Sequence, residues 1–242
     1  MIELHPVTGL PEVTPGDDLA GLLAERAELA DGDILVVAQK VVSKAEGRLR
    51  DMREITPGSQ ALEIARQNGS DARQVQAVID ESVRLVRTER VIIAETRHGF
   101  VCANAGVDHS NVPGGEILCL LPVDPDASAA ALRERLRELT GRTVAVIVSD
   151  TFGRAWRVGI QNVALGVAGM PAVVDYRGRD DDFGRTLIGT VVAIADELAG
   201  AAELAMGKTD RVPAVVIRGY RAEGAPGTGR QLVRPPAEDL FR

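Results

Sequence analysis

The chain alternates between largely apolar runs and stretches whose apolar positions recur at helical spacing. Apolar runs at 33–42, 144–148 and 212–217 predict buried strands, because a strand that is covered on both faces does not alternate with polar residues. Two shorter apolar runs flank 97–99, which predicts a β-hairpin with its turn there. Four stretches have apolar residues three or four positions apart and are predicted to be helical: 17–30, 71–87, 124–141 and 189–206.

The order of these elements predicts the fold class. Strand and helix patterns alternate without a repeat of fixed period, which is typical of a mixed α/β fold. Asp126 is the expected N-cap of the helix at 124–141, Gly141 is its expected stop, and Gly207 is expected to end the helix at 189–206. The Gly- and Pro-rich stretch 223–242 predicts a loop and an extended end.

Composition narrows the class of protein. With 242 residues, 45% apolar and 26% charged, the chain has the composition of an ordinary soluble globular protein. No apolar run approaches the ~20 residues of a membrane span, and the first residues lack the pattern of a signal peptide. A cytoplasmic protein without membrane contact is therefore expected.

Charge and the rarer residues add three expectations. The net charge of −7 disfavours a nonspecific nucleic-acid surface and favours a small-molecule partner. Cys102 and Cys119 lie in apolar runs and are predicted to be buried, reduced thiols. The single tryptophan, Trp156, is interpreted as a packing residue.

Two polar clusters follow strand-like runs and contain carboxylates. In 143–157 (TVAVIVSDTFGRAWR), Asp150 and Thr151 follow a buried run, and ligands in open α/β sheets usually bind at the carboxyl ends of strands. In 104–111 (NAGVDHSN), Asp108 stands in a similar position. Carboxylate and hydroxyl oxygens are the ligands that Mg²⁺ or Mn²⁺ takes, so these clusters predict a metal site. The alternative is that each aspartate only caps a turn.

A third cluster, 39–48 (QKVVSKAEGR), is basic. Lys40, Lys44 and Arg48 lie close to a predicted strand end, where with a divalent metal they could hold the polyphosphate of a nucleotide. The alternative is a solvated basic turn. The stretch 202–209 (AELAMGKT) only approximates the phosphate-binding pattern G-x-x-x-x-G-K-[ST], because it ends a predicted helix where that motif begins one.

Seven stretches, in family order along the whole chain, resemble the coenzyme F420:γ-glutamyl ligase family. They are HPVTGLPEVTPGDDL, GDILVVAQKVVSKAEGR, AGVDHSNV, LLPVDPDASA, SDTFGRAWRVGIQNVALGVAG, DYRGRDDDFGR and ADELAGAAELAMGK. The chain resembles the ligase domain of the actinobacterial bifunctional F420 ligases. The resemblance implies two interlocked subdomains of mixed α/β fold, with 1–242 as one ligase domain that acts as a homodimer.

The resemblance also implies an activity. The family joins L-glutamate to the phospholactyl carboxylate of the deazaflavin precursor F420-0 and then adds further γ-linked glutamates, with GTP as the co-substrate. Mg²⁺ or Mn²⁺ assists at the phosphates, and K⁺ is the implied monovalent cation. A carboxylate is a poor electrophile, so the implied route phosphorylates it first to an acyl phosphate. Two other readings stay open at this point: a nucleotide- or metal-sensing module without turnover, and a metal-dependent phosphatase.

Residue roles follow from the resemblance position by position. Asp108 and Asp150 are the implied catalytic residues, and together with Thr151 they are the implied metal ligands. Arg154 and Arg157 are candidates for substrate binding, with a structural ion pair as the alternative. The positions that match nucleotide contacts are Leu10, Pro11, Glu12, Val13, Gln39, Lys44, Asn111, Met206, Gly207, Lys208, Thr209 and Asp210.

Overall fold

The structure is a computed structural model that describes residues 1–112, 114–221 and 223–239. The strands are β1 (Glu3–Val7), β2 (Ile34–Ala38), β3 (Leu49–Asp51), β4 (Ser82–Arg87), β5 (Ile93–Thr96), β6 (Val101–Ala103), β7 (Ile117–Cys119), β8 (Ala145–Gly153), β9 (Ile160–Ala168), β10 (Val174–Asp175), β11 (Val191–Val192) and β12 (Ala214–Arg218). The α-helices are α1 (Leu19–Ala24), α2 (Gln39–Ala45), α3 (Ser59–Asn68), α4 (Ala72–Asp80), α5 (Pro125–Thr140) and α6 (Ile194–Met206). The prediction of a mixed α/β fold is confirmed.

The fold has two structural units. A five-stranded sheet, in the order β1-β12-β2-β8-β9, forms the centre of the larger one. β2 and β8 are parallel, and the other neighbours in this sheet are antiparallel. The parallel register pairs Ala38 with Ser149, so the end of β2 lies beside the residue that precedes Asp150. In the described ranges, no helix combines the length and the apolar character needed to cross a membrane.

Helices cover both faces of this sheet. Leu35 and Val36 are consecutive residues of β2, point to opposite faces, and are both fully buried. Leu35 packs in a core with Leu23 of α1 and Leu136 of α5. Val36 packs in the other core with Leu198 of α6. β2 is therefore apolar throughout because both of its faces are buried, as the sequence pattern predicts.

Residues 49–121 form a second unit, inserted between α2 and α5. It contains the antiparallel sheet β4-β5-β6, the pair β3-β7 and the helices α3 and α4. Val78 and Leu118 belong to its own core. Phe100 of this unit packs with Leu165 of β9 in a small apolar cluster that joins the two units. The hairpin predicted around 97–99 is confirmed, because β5 pairs with β6 across that turn.

Four predicted element boundaries are wrong. The helix predicted at 189–206 begins only at Ile194, because Val191 and Val192 pair with β10 as strand β11. The helix predicted at 17–30 extends only from Leu19 to Ala24. The strand predicted at 33–42 ends at Ala38, where α2 begins. The stretch 71–87 is divided between α4 and β4, because pairing with β5 overrides the helical spacing of its valines.

Asp126 is not the N-cap of α5. Asp124 has that role and accepts a hydrogen bond from the Ala127 amide at 3.0 Å. The Asp126 carboxylate accepts instead from the amides of Val167 at 2.8 Å and Gly229 at 2.6 Å. Asp126 therefore ties α5 to β9 and to the C-terminal segment, which the chain pattern alone does not reveal.

The interpretation of Trp156 as a packing residue is also wrong. Its side chain is 87% exposed at the turn between β8 and β9, where its backbone φ is 66°. Both cysteines are buried and unpaired, as predicted. The last residues of the predicted extended end, 240–242, lie outside the described residues.

Gly166 marks the closest approach of β9 to α5. A Cβ at this position would lie 2.0 Å from the carbonyl oxygen of Pro125. Gly166→Ala therefore forces the backbone apart and is expected to lower the free energy of unfolding by roughly 1–3 kcal/mol. Gly189→Ala is the control, because a Cβ there meets no atom within 4 Å. Urea denaturation measures both, and equal midpoints for the two variants would contradict the close approach.

Candidate active site

Asp108 and Asp150 come from different units of the fold but share one cationic neighbour, Lys40. The Lys40 Nζ donates to Asp108 Oδ2 at 2.6 Å. The charges of Lys40 and Asp108 both act on Asp150. Lys40 lies in the first turn of α2, directly after β2, and the parallel pairing of β2 with β8 brings that turn next to Asp150. The structure thus gathers both predicted carboxylates at one edge of the sheet.

Backbone and side-chain hydrogen bonds hold Asp108 in place. Its amide donates to the Cys119 carbonyl at 3.1 Å, and the Cys119 amide donates back at 2.7 Å. The amide and hydroxyl of Ser110 donate to its carboxylate at 2.9 and 2.5 Å. Burial by itself raises the pKa of Asp108, but the hydrogen bonds from Lys40 and Ser110 outweigh it and lower that pKa to about 2. Asp108 is therefore ionised at neutral pH.

Asp150 has the opposite electrostatic environment. Burial is the main cause that raises its pKa to about 6, and the negative charge of Asp108 adds to the rise. The positive charge of Lys40 and the hydrogen bond from the Thr151 amide oppose it. The charged form of Asp150 is thus disfavoured by its surroundings, and an added cation would stabilise that form.

Thr151 presents its hydroxyl to a different set of neighbours. Consecutive strand residues point to opposite faces, and in the β8–β9 register Thr151 lies opposite Asn162. The Thr151 hydroxyl donates to Asn162 Oδ1 at 2.7 Å and accepts from Lys208 Nζ at 2.7 Å. Lys208 also pairs with Glu203 at 2.5 Å. Lys208 therefore reaches the predicted metal ligands from the segment that follows α6.

Lys44 joins three of the predicted nucleotide-binding segments. Its side chain is largely buried, and its Nζ donates to Glu12 Oε1 at 2.5 Å and to the Asn111 carbonyl at 2.7 Å. Pro11, beside Glu12, is exposed. The side chain of Asn111 is also exposed, and its backbone has a positive φ of 56°. Positions far apart in the chain thus surround one ammonium group.

Other predicted nucleotide-binding residues have side chains that the fold itself uses. Val13 is buried, and Leu10 is half-buried, in the core on the α1 side of the sheet. Met206 is buried in the core beneath α6. Gln39 is buried and donates to Ser43 Oγ at 2.6 Å. The side chains of these residues therefore serve packing and hydrogen bonding within the fold.

The segment from Gly207 to Asp210 follows α6. Gly207 ends the helix, as predicted, with a φ of 60°. A Cβ at Gly207 would lie 2.2 Å from Asp210 Oδ2, so the Asp210 carboxylate folds closely over this glycine. Lys208 and Thr209 between them are exposed. The segment is thus a tight turn that directs Lys208 toward β8.

The predicted arginines occupy other places. Arg154 and Arg157 are exposed in the turn between β8 and β9, where Arg154 donates to the Val158 carbonyl at 2.8 Å. Arg48, from the basic cluster, donates to Glu81 at 2.9 Å and therefore links the two units of the fold. Of the cations in that cluster, Lys40 and Lys44 are the two placed beside the predicted site.

Comparison with known proteins bears directly on this arrangement. The family model described as F420-0:Gamma-glutamyl ligase matches residues 9–219, a range that contains every predicted site residue. The chain belongs to this family. The resemblance drawn from the seven stretches is confirmed, and with it the prediction of a ligase.

Three relatives of this ligase are named coenzyme F420:L-glutamate ligase. The relative from Methanopyrus kandleri is 48% identical over 100% of this chain and 98% of its own length. The relative from Methanothermobacter thermautotrophicus is 47% identical over 100% of this chain and 99% of its own. The relative from Archaeoglobus fulgidus is 46% identical over 100% and 96%. The similarity therefore covers both units of the fold.

The donor set of the ligase suits a hard divalent cation that keeps part of its hydration shell. Within the described ranges, no three His, Cys, Asp or Glu side chains are grouped closely enough to hold a metal ion. Asp108 and Asp150 supply two carboxylates, whereas the Thr151 hydroxyl is held by Asn162 and Lys208 on the other face of β8. Mg²⁺ commonly takes one or two carboxylates and completes its shell with water and phosphate oxygens.

Two polar residues of the site escaped the sequence analysis. Ser149 is 1% exposed, and its Oγ has no hydrogen-bond partner within the described part of the chain. Asn162 is buried and receives the Thr151 hydrogen bond. The sequence signal that could have revealed them is a polar residue at the edge of, or inside, an otherwise apolar strand. Such a residue stands out because burying a polar group without a hydrogen bond costs free energy.

Lys40→Met removes the cation that both carboxylates share. The pKa of Asp150 is expected to rise above its value of about 6, and that of Asp108 above about 2, because a positive charge that favours both ionised forms is lost. Carboxyl ¹³C NMR titration of the metal-free protein measures both values.

Lys208→Met serves as the comparison for this titration. Lys208 acts on Asp150 less strongly than Lys40 does, so the pKa of Asp150 is expected to rise by a smaller amount. An unchanged pKa of Asp150 in Lys40→Met would contradict the coupling between α2 and β8.

Proposed function

We propose that this ligase joins L-glutamate to coenzyme F420-0 in a GTP-dependent reaction that passes through an acyl phosphate, and then adds further γ-linked glutamates. Membership of the family supports glutamate ligation in F420 biosynthesis. The finer statement, with GTP as phosphoryl donor and F420-0 as acceptor, is supported by the charges gathered at the sheet edge. Neither a sensor module nor a phosphatase accounts for that family membership.

The observation that carries the proposal is that three ammonium groups lie at the end of the sheet that carries the two carboxylates. Lys40 touches Asp108, Lys208 touches Thr151, and Lys44 lies one helical turn beyond Lys40 on α2. A nucleotide triphosphate carries several negative charges, and lysines bind phosphates as point charges. This arrangement is suited to a polyphosphate whose terminal group lies near Asp108 and Asp150.

The chemistry explains why such a site suits a ligase. An amine that attacks a free carboxylate would have to expel oxide, so the carboxylate first needs a leaving group. Mg²⁺ or Mn²⁺, held by Asp108 and Asp150, would supply charge neutralisation at the phosphates when bound, and Thr151 is the third ligand that the family resemblance implies. Lys44 and Lys40 would orient the phosphates. K⁺ stays a prediction without an assigned site.

A homodimer is part of this proposal. Two segments, 156–160 and 183–188, carry large apolar side chains that are mostly exposed. These are Trp156, Val158, Ile160, Phe183 and Ile188. Exposed apolar groups concentrated in this way favour association with another protein surface. A second copy of the chain is the partner that the family resemblance implies.

Nucleotide binding should stabilise the folded protein. GDP with Mn²⁺ at a hundredfold excess over Kd is expected to add about 2.7 kcal/mol of stability and to raise the Tm. Lys44→Met should shrink that shift, because it removes the ammonium group between Glu12 and Asn111. Arg66→Met, on the exposed face of α3, is the control and should keep the full shift. Differential scanning fluorimetry measures all three, and an equal shift in Lys44→Met would remove Lys44 from the phosphate site.

The route through an acyl phosphate predicts where oxygen goes. The F420-0 carboxylate oxygen that attacks the γ-phosphorus becomes the bridge, and it leaves with the phosphate when glutamate attacks the carbonyl. F420-0 labelled with ¹⁸O in that carboxylate should yield phosphate carrying one ¹⁸O per amide formed, measured by ³¹P NMR and mass spectrometry. Asp150→Asn is expected to abolish both amide formation and label transfer.

The alternatives give different labels. A phosphatase would bring oxygen from water into the phosphate without requiring glutamate. A sensor would release no phosphate at all. Amide formation with unlabelled phosphate would leave the ligase activity standing and exclude the acyl phosphate.

A further inference from the structure

A cleft of about 270 Å³ opens between the two units of the fold, with Phe100 and Val101 on one side and Phe152 and Val163 on the other. Val163 pairs with Asp150 across the β8–β9 ladder, and it lines this cleft. Phe152, two residues after Asp150, points to the same face of β8 and lines the cleft as well. Two lining residues, Val163 and Phe152, are therefore immediate neighbours of Asp150 on β9 and β8.

The walls of the cleft are aromatic and apolar. Phe100 and Phe152 meet edge to face, with ring centroids 6.1 Å apart and an interplanar angle of 74°. Val101, Leu232 and Val233 complete the apolar lining. Such walls suit a flat, apolar-faced ring, because aromatic side chains interact favourably with the faces and edges of other rings.

Three charged side chains also line the cleft, namely Asp196, Arg234 and Asp239. Asp196 lines it and accepts a hydrogen bond from the Ala164 amide at 2.8 Å, which leaves carboxyl oxygen capacity for a ligand. Arg234 also lines the cleft and is exposed. A few polar groups in an apolar cleft are the usual means by which a site orients a heterocycle.

Different residues lie between Asp150 and the cleft than between Asp150 and Lys44. Lys44 lies beyond Lys40 on α2, whereas the cleft lies beyond Phe152 and Val163 on β8 and β9. None of the predicted nucleotide-binding residues lines the cleft. In phosphoryl transfer, the attacking oxygen of the acceptor and the leaving oxygen of the donor lie on opposite sides of the transferred phosphorus.

We propose that this cleft binds the deazaflavin ring of the acceptor, with Phe100 and Phe152 as the walls that hold the ring while the acid end of the molecule reaches Asp108 and Asp150. The inference rests on the proposed function, which supplies the acceptor. A volume of about 270 Å³ lies just below the range of pockets that hold a whole drug-sized ligand, so the cleft takes one ring system of a larger molecule.

The test fills the cleft and measures ring binding apart from catalysis. The probe is the free deazaflavin–ribitol chromophore, which lacks the phospholactyl group, and its fluorescence anisotropy reports binding to the full chain. Val101→Trp places an indole in the cleft from a position that is already 43% exposed. We expect it to weaken chromophore binding at least about tenfold and to raise the KM for F420-0. The Tm shift with GDP and Mn²⁺ should stay unchanged.

Val86→Trp is the matched control. Val86 is 47% exposed in the same three-stranded sheet as Val101, but it does not line the cleft. It should bind the chromophore as the wild type does. Phe152→Leu keeps an apolar side chain and removes the ring, so a several-fold loss of chromophore affinity is expected without a filled cleft. This second variant keeps the test decisive if Val101→Trp does not fold.

The outcomes separate this inference from the proposed function. If the wild type adds glutamate to F420-0 but Val101→Trp and Phe152→Leu bind the chromophore as tightly as the wild type, the cleft assignment is wrong and the ligase function stands. If the wild type adds no glutamate to F420-0, the proposed function fails. If GTP displaces the chromophore competitively without metal, the ring lies in the nucleotide site and the assignment is overturned.

Discussion

The parallel pairing of β2 with β8 is the constraint on which the site depends. It places Ala38 beside Ser149, so that the start of α2 and the polar end of β8 emerge at the same sheet edge. Both strands are buried on both faces, and a shift of register would move apolar side chains out of their cores. The burial that stabilises the sheet therefore also determines the position of Lys40 relative to Asp150.

The charged side chains at this end of the sheet come from both units of the fold. Asp108 belongs to the inserted unit, and Asp150 belongs to the central sheet, yet both respond to Lys40. The ionised form of Asp108 is stabilised by its donors, whereas burial disfavours the ionised form of Asp150. Two carboxylates with such different environments at one end of a sheet are typical of a functional site.

The insertion also supplies one wall of the cleft beside that site. Phe100 comes from the hairpin turn between β5 and β6, and Phe152 comes from the end of β8. Their contact belongs to the small apolar cluster that joins the units. The packing that holds the inserted unit against the sheet is thus the same packing that shapes the cleft.

The sequence by itself determined the α/β class, the buried strands, the hairpin and the residue types at the site, because burial and turn chemistry leave local patterns such as the run before Asp150 and the glycine after α6. It did not determine which aspartate caps α5, where α4 gives way to β4, or that Trp156 is exposed. Those outcomes depend on partners distant in the chain: the amides of Val167 and Gly229 for Asp126, and β5 for β4. Only the tertiary structure could bring Lys40, Asp108 and Asp150 together, because strand pairing and core packing act between residues that no local pattern connects.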